Sequence, residues 1–332
     1  MIPKKIIISR TDRIGDVVLT LPMAGIIKSK YPNCKILFLG KTYTEPIINA
    51  SIHIDEFINW DKLQKEENSL EVLKNFNADT IVHAFPNKEV ARLAFKAKIP
   101  FRIGTNGRVF HLLNCNKKVA FSRRKSDLHE AQNNLKLLAP LGITGYFSLQ
   151  EIEKFYGFSK LKPLPTELAL LMDKTKTNIV LHPKSKGSSK EWGLDKFAEL
   201  INILPEDKFK IFITGTTEEG IIIGDNLPLN KNNVVSLIGK LTLGELISFI
   251  ACASALVSSS TGPLHIAAAT GIKAIGLYSP KRPTHPGRWK PVGKKAVAIV
   301  KDENCPSCLA RENCNCITDI LPETIVEELL SV

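Results

Sequence analysis

Short runs of β-branched and aliphatic residues recur along this chain, separated by amphipathic or polar stretches, and that rhythm predicts strands alternating with helices. The first run, Ile6 to Ile8, is continuous and not alternating, as expected of a strand covered on both faces in a parallel sheet. Further strands are expected at residues 35–39, 80–83, 99–103 and 119–121, and then at 178–182, 210–214, 234–238, 255–258 and 274–278. Between them, Phe197, Leu200, Ile201 and Leu204 fall on one helical face, residues 129–141 read as a helix, and a last helix spans residues 322–330. Pro22 lies inside the helix expected after the first strand and predicts a kink there. The pattern is α/β with doubly wound sheets. At 332 residues the chain exceeds usual single-domain size, and the Lys- and Pro-rich stretch 158–166 is the natural boundary, giving domains 1–160 and 161–332.

Three strand-to-helix turns carry candidate chemistry. After the first strand, a polar loop from Arg10 to Gly15 delivers one carboxylate, Asp16, to a helix start at the carboxyl edge of the sheet, where open α/β folds bind ligands. Asp16 is therefore a candidate catalytic base, and the competing reading is a simple helix cap. Ser258, Ser259, Ser260, Thr261 and Gly262 precede Pro263 at another helix start, a turn that presents N–H groups and hydroxyls to a phosphate or caps an ordinary helix. His265, one turn on, suits either a phosphate donor or a buried packing role. The loop after residue 182 holds Lys184, Lys186 and Lys190 among Gly and Ser, three cations suited to a diphosphate or to solvent.

Together these segments resemble glycosyltransferase family 9, the ADP-heptose:lipopolysaccharide heptosyltransferases. The motifs are R-x-D-x-x-G-D-V-x-x-x-x-P from Arg10, H-P-x-S-K-G-S-x-K-E-W from His182, and S-T-G-P-x-H-x-A-A-A-x-G from Ser260. The resemblance implies the GT-B fold, two Rossmann-like domains facing a central cleft, with an acceptor site on the N-terminal domain and a nucleotide-sugar site on the C-terminal one. It offers a last helix that packs back on the first domain. By the same resemblance Asp16 is the catalytic base of an inverting displacement. Lys190, with Lys186, faces the donor diphosphate together with Ser260, Thr261, Gly262 and His265, and Glu218 or Glu219 reaches the nucleoside. The implied reaction moves a heptose from ADP-heptose to a lipopolysaccharide core, with no cofactor and no catalytic metal. Ser260 stands where many members have aspartate, which keeps open a transferase for another nucleotide sugar in O-antigen, capsule or other glycan assembly. A non-catalytic protein that binds nucleotide or anionic lipid is the reading from a different class.

Charge sharpens the picture. Residues 1–160 hold 25 Lys/Arg against 15 Asp/Glu, and residues 161–332 hold 20 against 18, so the +12 net charge sits mostly in the first half. Between Lys88 and Lys125 eleven cations face a single acid, Glu89. That density suits an anionic glycolipid acceptor or an anionic membrane face, with Arg10, Arg13, Arg102 and Arg108 as acceptor-binding candidates. No nucleic-acid-binding motif accompanies it. One glycine, Gly15, follows the first strand, which argues against a G-x-G-x-x-G dinucleotide turn. No window approaches a membrane span, and the N-terminus lacks signal-peptide features, so a cytoplasmic protein with peripheral contact at the inner membrane is expected. Seven cysteines include Cys305, Cys308, Cys314 and Cys316 in CPSCLARENCNC. Reduced thiols are the default there, and a structural zinc is the alternative, weakened by the one-residue gap in the second pair.

Overall fold

The computed structural model describes residues 2–331, which divide into two compact units at Lys160/Leu161. The first unit holds a six-stranded parallel sheet of β1 (Lys5–Ser9), β2 (Lys35–Gly40), β3 (Glu56–Asn59), β4 (Thr80–His83), β5 (Phe101–Thr105) and β6 (Lys117–Val119), in the order β3-β2-β1-β4-β5-β6. The second holds β7 (Thr177–His182), β8 (Phe209–Ile213), β9 (Val234–Ser236), β10 (Ala255–Ser259), β11 (Lys273–Tyr278) and β12 (Ala296–Val300), in the order β12-β11-β10-β7-β8-β9. Read from the opposite edge, the second order repeats the first. Each sheet therefore has one topological switch point, between β1 and β4 in one unit and between β7 and β10 in the other, where the strand order turns back and ligand crevices form.

The sheets form where the sequence concentrates residues with no use for water. Ile6, Ile7 and Ile8 have no exposed surface, and neither do Ile179, Val180 and Leu181 at the equivalent place in the second unit. Helices from both units bury one face each against these strands. In the second unit, Phe197, Leu200 and Ile201 of the helix Leu194–Ile203 share a core with Ile325 and Leu329 of the last helix, Pro322–Leu330. Ile325 and Leu329 thus anchor that last helix in the core of its own unit.

Other departures from the sequence reading have local causes. The expected kinked helix is two helices, Ile14–Val18 and Pro22–Lys30, because Pro22 lacks the N–H an interior position needs and opens the second helix. The 129–141 segment is the helix Glu130–Lys136 followed by a separate turn at Ala139–Leu141 that stops at Gly142, whose φ is +70°. Strands β3 and β12 had no counterpart in the expected set. Both are sheet edges, where half the pairing is absent and the burial pattern that marks a strand is diluted.

Candidate active site

The loop after β1 folds back on a buried arginine. Arg10, 2% exposed, donates through Nε to Asp12 at 2.7 Å, through Nη2 to Asp16, and through Nη1 to Asn134 at 3.1 Å and to Glu130 and the Ala84 carbonyl at 3.3 Å. Arg123 reaches the same acceptors from the other side, donating to Glu130 at 3.0 Å, Ala84 O at 2.9 Å and Asn134 at 2.8 Å. Asn134 in turn donates to Leu19 O and Thr20 Oγ1 at 3.1 Å, which ties this cage to the segment following Asp16. Arg13, at the N-cap position, makes no side-chain cap, and Asp16 sits at the third residue of its helix with its carboxylate turned to Arg10. The helix-cap reading of Asp16 is therefore replaced by an ion pair.

Three carboxylates around two guanidiniums in a buried setting leave the acids short of compensation. Burial pushes the Asp16 carboxyl up, Arg10 pulls it back, Asp12 and Glu130 push it up again, and the outcome is a pKa of about 6. Asp12 is raised by burial against the same opposing pull of Arg10. On Arg10 burial works against the charge, yet Asp16, Asp12 and Glu130 outweigh it and raise its pKa. Asp16 keeps 17% of its side chain exposed, so its carboxylate is reachable while Arg10 is not.

The four acceptor candidates lie in different settings. Arg10 is enclosed and its guanidinium is engaged by protein groups, so its part is to hold Asp16. Arg102 lies near the amino end of β5, away from the carboxyl edge that bears Asp16, and donates to the carbonyls of Asn114 and Ile99 beneath the Phe95 ring. Arg13 and Arg108 are exposed on the loops after β1 and β5.

In the second unit, the donor candidates collect at the other switch point. Glu191 organises the loop after β7: it accepts from Lys184 Nζ at 2.5 Å and from the Ser185 N–H at 2.8 Å. The chain turns at Lys186 and Gly187, with φ of +47° and +71°, and Lys186 is exposed. Ser188 Oγ donates to the Ser260 carbonyl at 3.3 Å, joining this loop to the turn after β10. There Thr261 is the N-cap of the helix Gly262–Thr270, and its hydroxyl pairs with Ser258 Oγ at 2.8 Å and makes no cap bond, so the positive end of that helix is not closed by its own N-cap side chain. His265 is 3% exposed, inside the helix packing. Lys190 Nζ donates to the Cys314 carbonyl. After β8, Glu219 is consumed by a capping box with Thr216 and is 8% exposed, whereas Glu218 beside it is solvent-exposed. The structure thus separates the two glutamates that the sequence left equal.

Asp12, Glu130, Asn134 and Arg123 were absent from the sequence reading of the site. A signal existed: Glu130 and Asn134 are four apart in the helix 129–141 and so share a face, and a helix whose inward face is polar has a buried partner to satisfy.

Comparison with known proteins fits this layout. Residues 70–317 match the family described as glycosyltransferase family 9 (heptosyltransferase). The chain belongs to that family. A lipooligosaccharide heptosyltransferase 2 of Campylobacter jejuni is 25% identical over 341 residues, covering 98% of each chain. Among solved structures, the Escherichia coli ADP-heptose LPS heptosyltransferase II aligns with a TM-score of 0.75 at 18% identity over 99% of this chain and 98% of that one. An iron-containing dodecameric glycosyltransferase of enterotoxigenic E. coli aligns at 0.60 with 14% identity, over 99% of this chain and 79% of that one. The fold is GT-B, with two Rossmann-like units, and the protein is a glycosyltransferase. Among the described residues no helix is long and apolar enough to cross a membrane.

Proposed function

We propose that this glycosyltransferase moves a heptose from ADP-heptose to a lipopolysaccharide core acceptor with inversion at the anomeric carbon. The observation that carries the reading is the Asp16 carboxylate, reachable, ion-paired and raised to about 6, hence ionised at neutral pH yet more basic than an ordinary aspartate. In the reaction, an acceptor hydroxyl gives its proton to Asp16 as its oxygen bonds to the anomeric carbon. The bond from that carbon to the diphosphate oxygen breaks, and its electron pair leaves with ADP. Lys186, Lys190 and the N-terminus of the helix Gly262–Thr270 are suited to the charge that grows on the diphosphate, and Glu218 to the nucleoside. The proposed roles require the two units to act on one substrate pair in turnover. The donor is the one named for the related Escherichia coli ADP-heptose LPS heptosyltransferase II, and the acceptor class is the lipopolysaccharide or lipooligosaccharide named for both relatives.

A second donor sugar is favoured by Ser260, whose hydroxyl replaces a carboxylate that would engage sugar hydroxyls. Thermal shifts with ADP, UDP, GDP and CMP separate the readings, because a ligand of the native state raises its stability by mass action. Preferential stabilisation by ADP supports the heptose donor; preference for UDP replaces it. ADP-heptose bound without transfer to any lipid A–core acceptor would leave only a binding protein.

The acceptor side extends to a lipid surface. The helix Val109–Asn114 exposes Val109 and Leu113 at 74% each and Leu112 at 47%, flanked by Arg108, Lys117 and Lys118. Apolar tips amid cations suit an anionic leaflet. The test is co-sedimentation with phosphatidylglycerol vesicles, expected to weaken several-fold in Val109→Ser/Leu113→Ser; unchanged binding removes this helix from the membrane face.

A further inference from the structure

The loop between β12 and the last helix has a small core of its own, and that core is sulfur. Cys305, Cys308 and Cys316 are 7%, 2% and 6% exposed and pack with Cys314 in a cluster that contains no hydrocarbon side chain. All four thiols are free. Their sulfurs lie within 4.8 Å of one another, with Cys305 to Cys314 at 3.3 Å and Cys314 to Cys316 at 3.0 Å. A tetrahedral cation with metal–sulfur bonds of about 2.3 Å has ligand sulfurs about 3.8 Å apart, so the observed spacings bracket the required edge. Local structure sets the positions. Cys305 is the N-cap and Cys308 the third residue of the short helix Pro306–Leu309, one turn apart on one face, and the Cys316 N–H donates to Cys314 Sγ at 3.2 Å, a bond that favours sulfur carrying negative charge. Four thiols leave no oxygen or nitrogen ligand, which selects zinc or iron over calcium or magnesium.

The same loop holds the loop that follows β7. Lys190 Nζ donates to the Cys314 carbonyl, Trp192 Nε1 to the Ile320 carbonyl at 3.0 Å, and Lys281 Nζ to the Glu312 carbonyl at 3.0 Å. Trp192 is fully buried, so the segment 312–320 is anchored two residues from Lys190 as well as at Lys190 itself.

We propose that Cys305, Cys308, Cys314 and Cys316 bind one thiophilic cation, zinc or iron, as a structural clip, and that the clip positions Lys190 through the Cys314 carbonyl. The first half stands on the sulfur cluster alone. The second rests on the reading of Lys190 as a cation for the donor diphosphate. Without the cation, four thiols replace four bonds, the carbonyl of residue 314 loses its fixed place, and Lys190 loses its parking position beside the diphosphate site.

Elemental analysis of the full chain, purified without chelator, tests the clip. About one zinc or iron per chain is expected, lost in Cys308→Ser and retained in Cys252→Ser, whose thiol is outside the cluster. Reconstitution of the stripped wild type with cobalt(II) alone is expected to give the visible bands of a tetrahedral thiolate site, which reports binding even where Cys308→Ser fails to fold. Fewer than about 0.2 metal per chain together with no cobalt spectrum, or two disulfides in the protein as isolated, would overturn the clip. Calorimetry with ADP tests the coupling: stripping the metal is expected to weaken ADP about tenfold in the wild type and to have no further effect in Lys190→Ala. If stripping leaves wild-type ADP binding intact while Lys190→Ala weakens it, the coupling is wrong and the donor role of Lys190 stands. If Lys190→Ala itself leaves ADP binding intact, it is the donor reading of Lys190 that fails, and the metal content still decides the clip.

Discussion

The two units share one strand order and use it for opposite electrostatic ends. At the β1/β4 switch point the first unit buries charge, with Asp16, Asp12 and Glu130 caged by Arg10 and Arg123. At the β7/β10 switch point the second unit presents hydroxyls, glycine, a helix N-terminus and lysines with exposed side chains. The strand ends repeat the contrast. Ser9 pairs in register with His83, and His182 with Ser258, the same two residue types in exchanged strands. In the second unit they are bonded: Ser258 Oγ donates to the His182 carbonyl at 2.8 Å, and His182 Nδ1 meets Thr214 Oγ1 at 3.0 Å. In the first, Ser9 Oγ and both His83 ring nitrogens make no hydrogen bond among the described residues. Burial holds both imidazoles neutral, pushing His83 down to about 3 and His182 to about 4. One scaffold thus suits the two roles proposed above: a proton acceptor, which needs a carboxylate held in low dielectric, and an anion site, which needs donors that cost little to desolvate.

The strongest way to break this division is to remove one group from each side. Asp16→Asn is expected to lower kcat by about 10³-fold while ADP affinity, measured by calorimetry, stays within about twofold. Lys190→Ala is expected to do the reverse first, weakening ADP by about 10- to 100-fold through the loss of a charged hydrogen bond. Equal loss of ADP binding in both variants would end the assignment of separate tasks.

A smaller effect sharpens the acid–base side. Because the Asp16 carboxyl is raised to about 6, kcat/KM is expected to fall tenfold per pH unit below that value, as protonation removes the base. An acid limb near 4, the ordinary carboxylate range, would mean that the buried neighbours do not govern Asp16 in the working enzyme. His83 and His182 do not generate this limb, since both remain neutral across it.

How much of this was legible in the sequence follows from where each interaction lies along the chain. The central strands were readable because Ile6–Ile8 and residues 179–181 are apolar on both faces, and the turns because Gly15, Gly187 and Gly262 lie in the loops or helix starts that follow strands. The position of Asp16 at a helix start after β1 was readable for the same reason. Its environment was not, since Glu130 and Asn134 meet Arg10 across separations of 120 and 124 residues that no local pattern encodes. The density of cations from Lys88 to Lys125 is a property of the sequence, but which of them face the carboxyl edge depends on the strand's direction, and Arg102 lies near the amino end of β5. Glu218 and Glu219 were separable once helix phase was fixed, because a capping box uses the third residue after Thr216 and leaves its neighbour outside.

The smallest expected effect is on stability, and it carries a sign that a simple salt-bridge view would reverse. A carboxyl whose folded pKa is about 6, against an ordinary 3.8, binds its proton more tightly in the folded state, so it destabilises the fold progressively as pH rises from about 4 through 6 and by a constant amount above that. Asp16→Asn removes this penalty along with the ion pair to Arg10, which keeps Asp12 and Glu130 as partners. The variant is therefore expected to match wild type at pH 4.5 and to exceed it at pH 7.5 by on the order of 1 kcal/mol, read from urea denaturation at the two pH values. The loss of stability that neutral His83 imposes below its ordinary pKa is common to both proteins and cancels in the difference. A variant less stable than wild type at pH 7.5 would mean that the attraction of Arg10 exceeds the cost of burying the third carboxylate, and the raised basicity assigned to Asp16 would then have no source in this site.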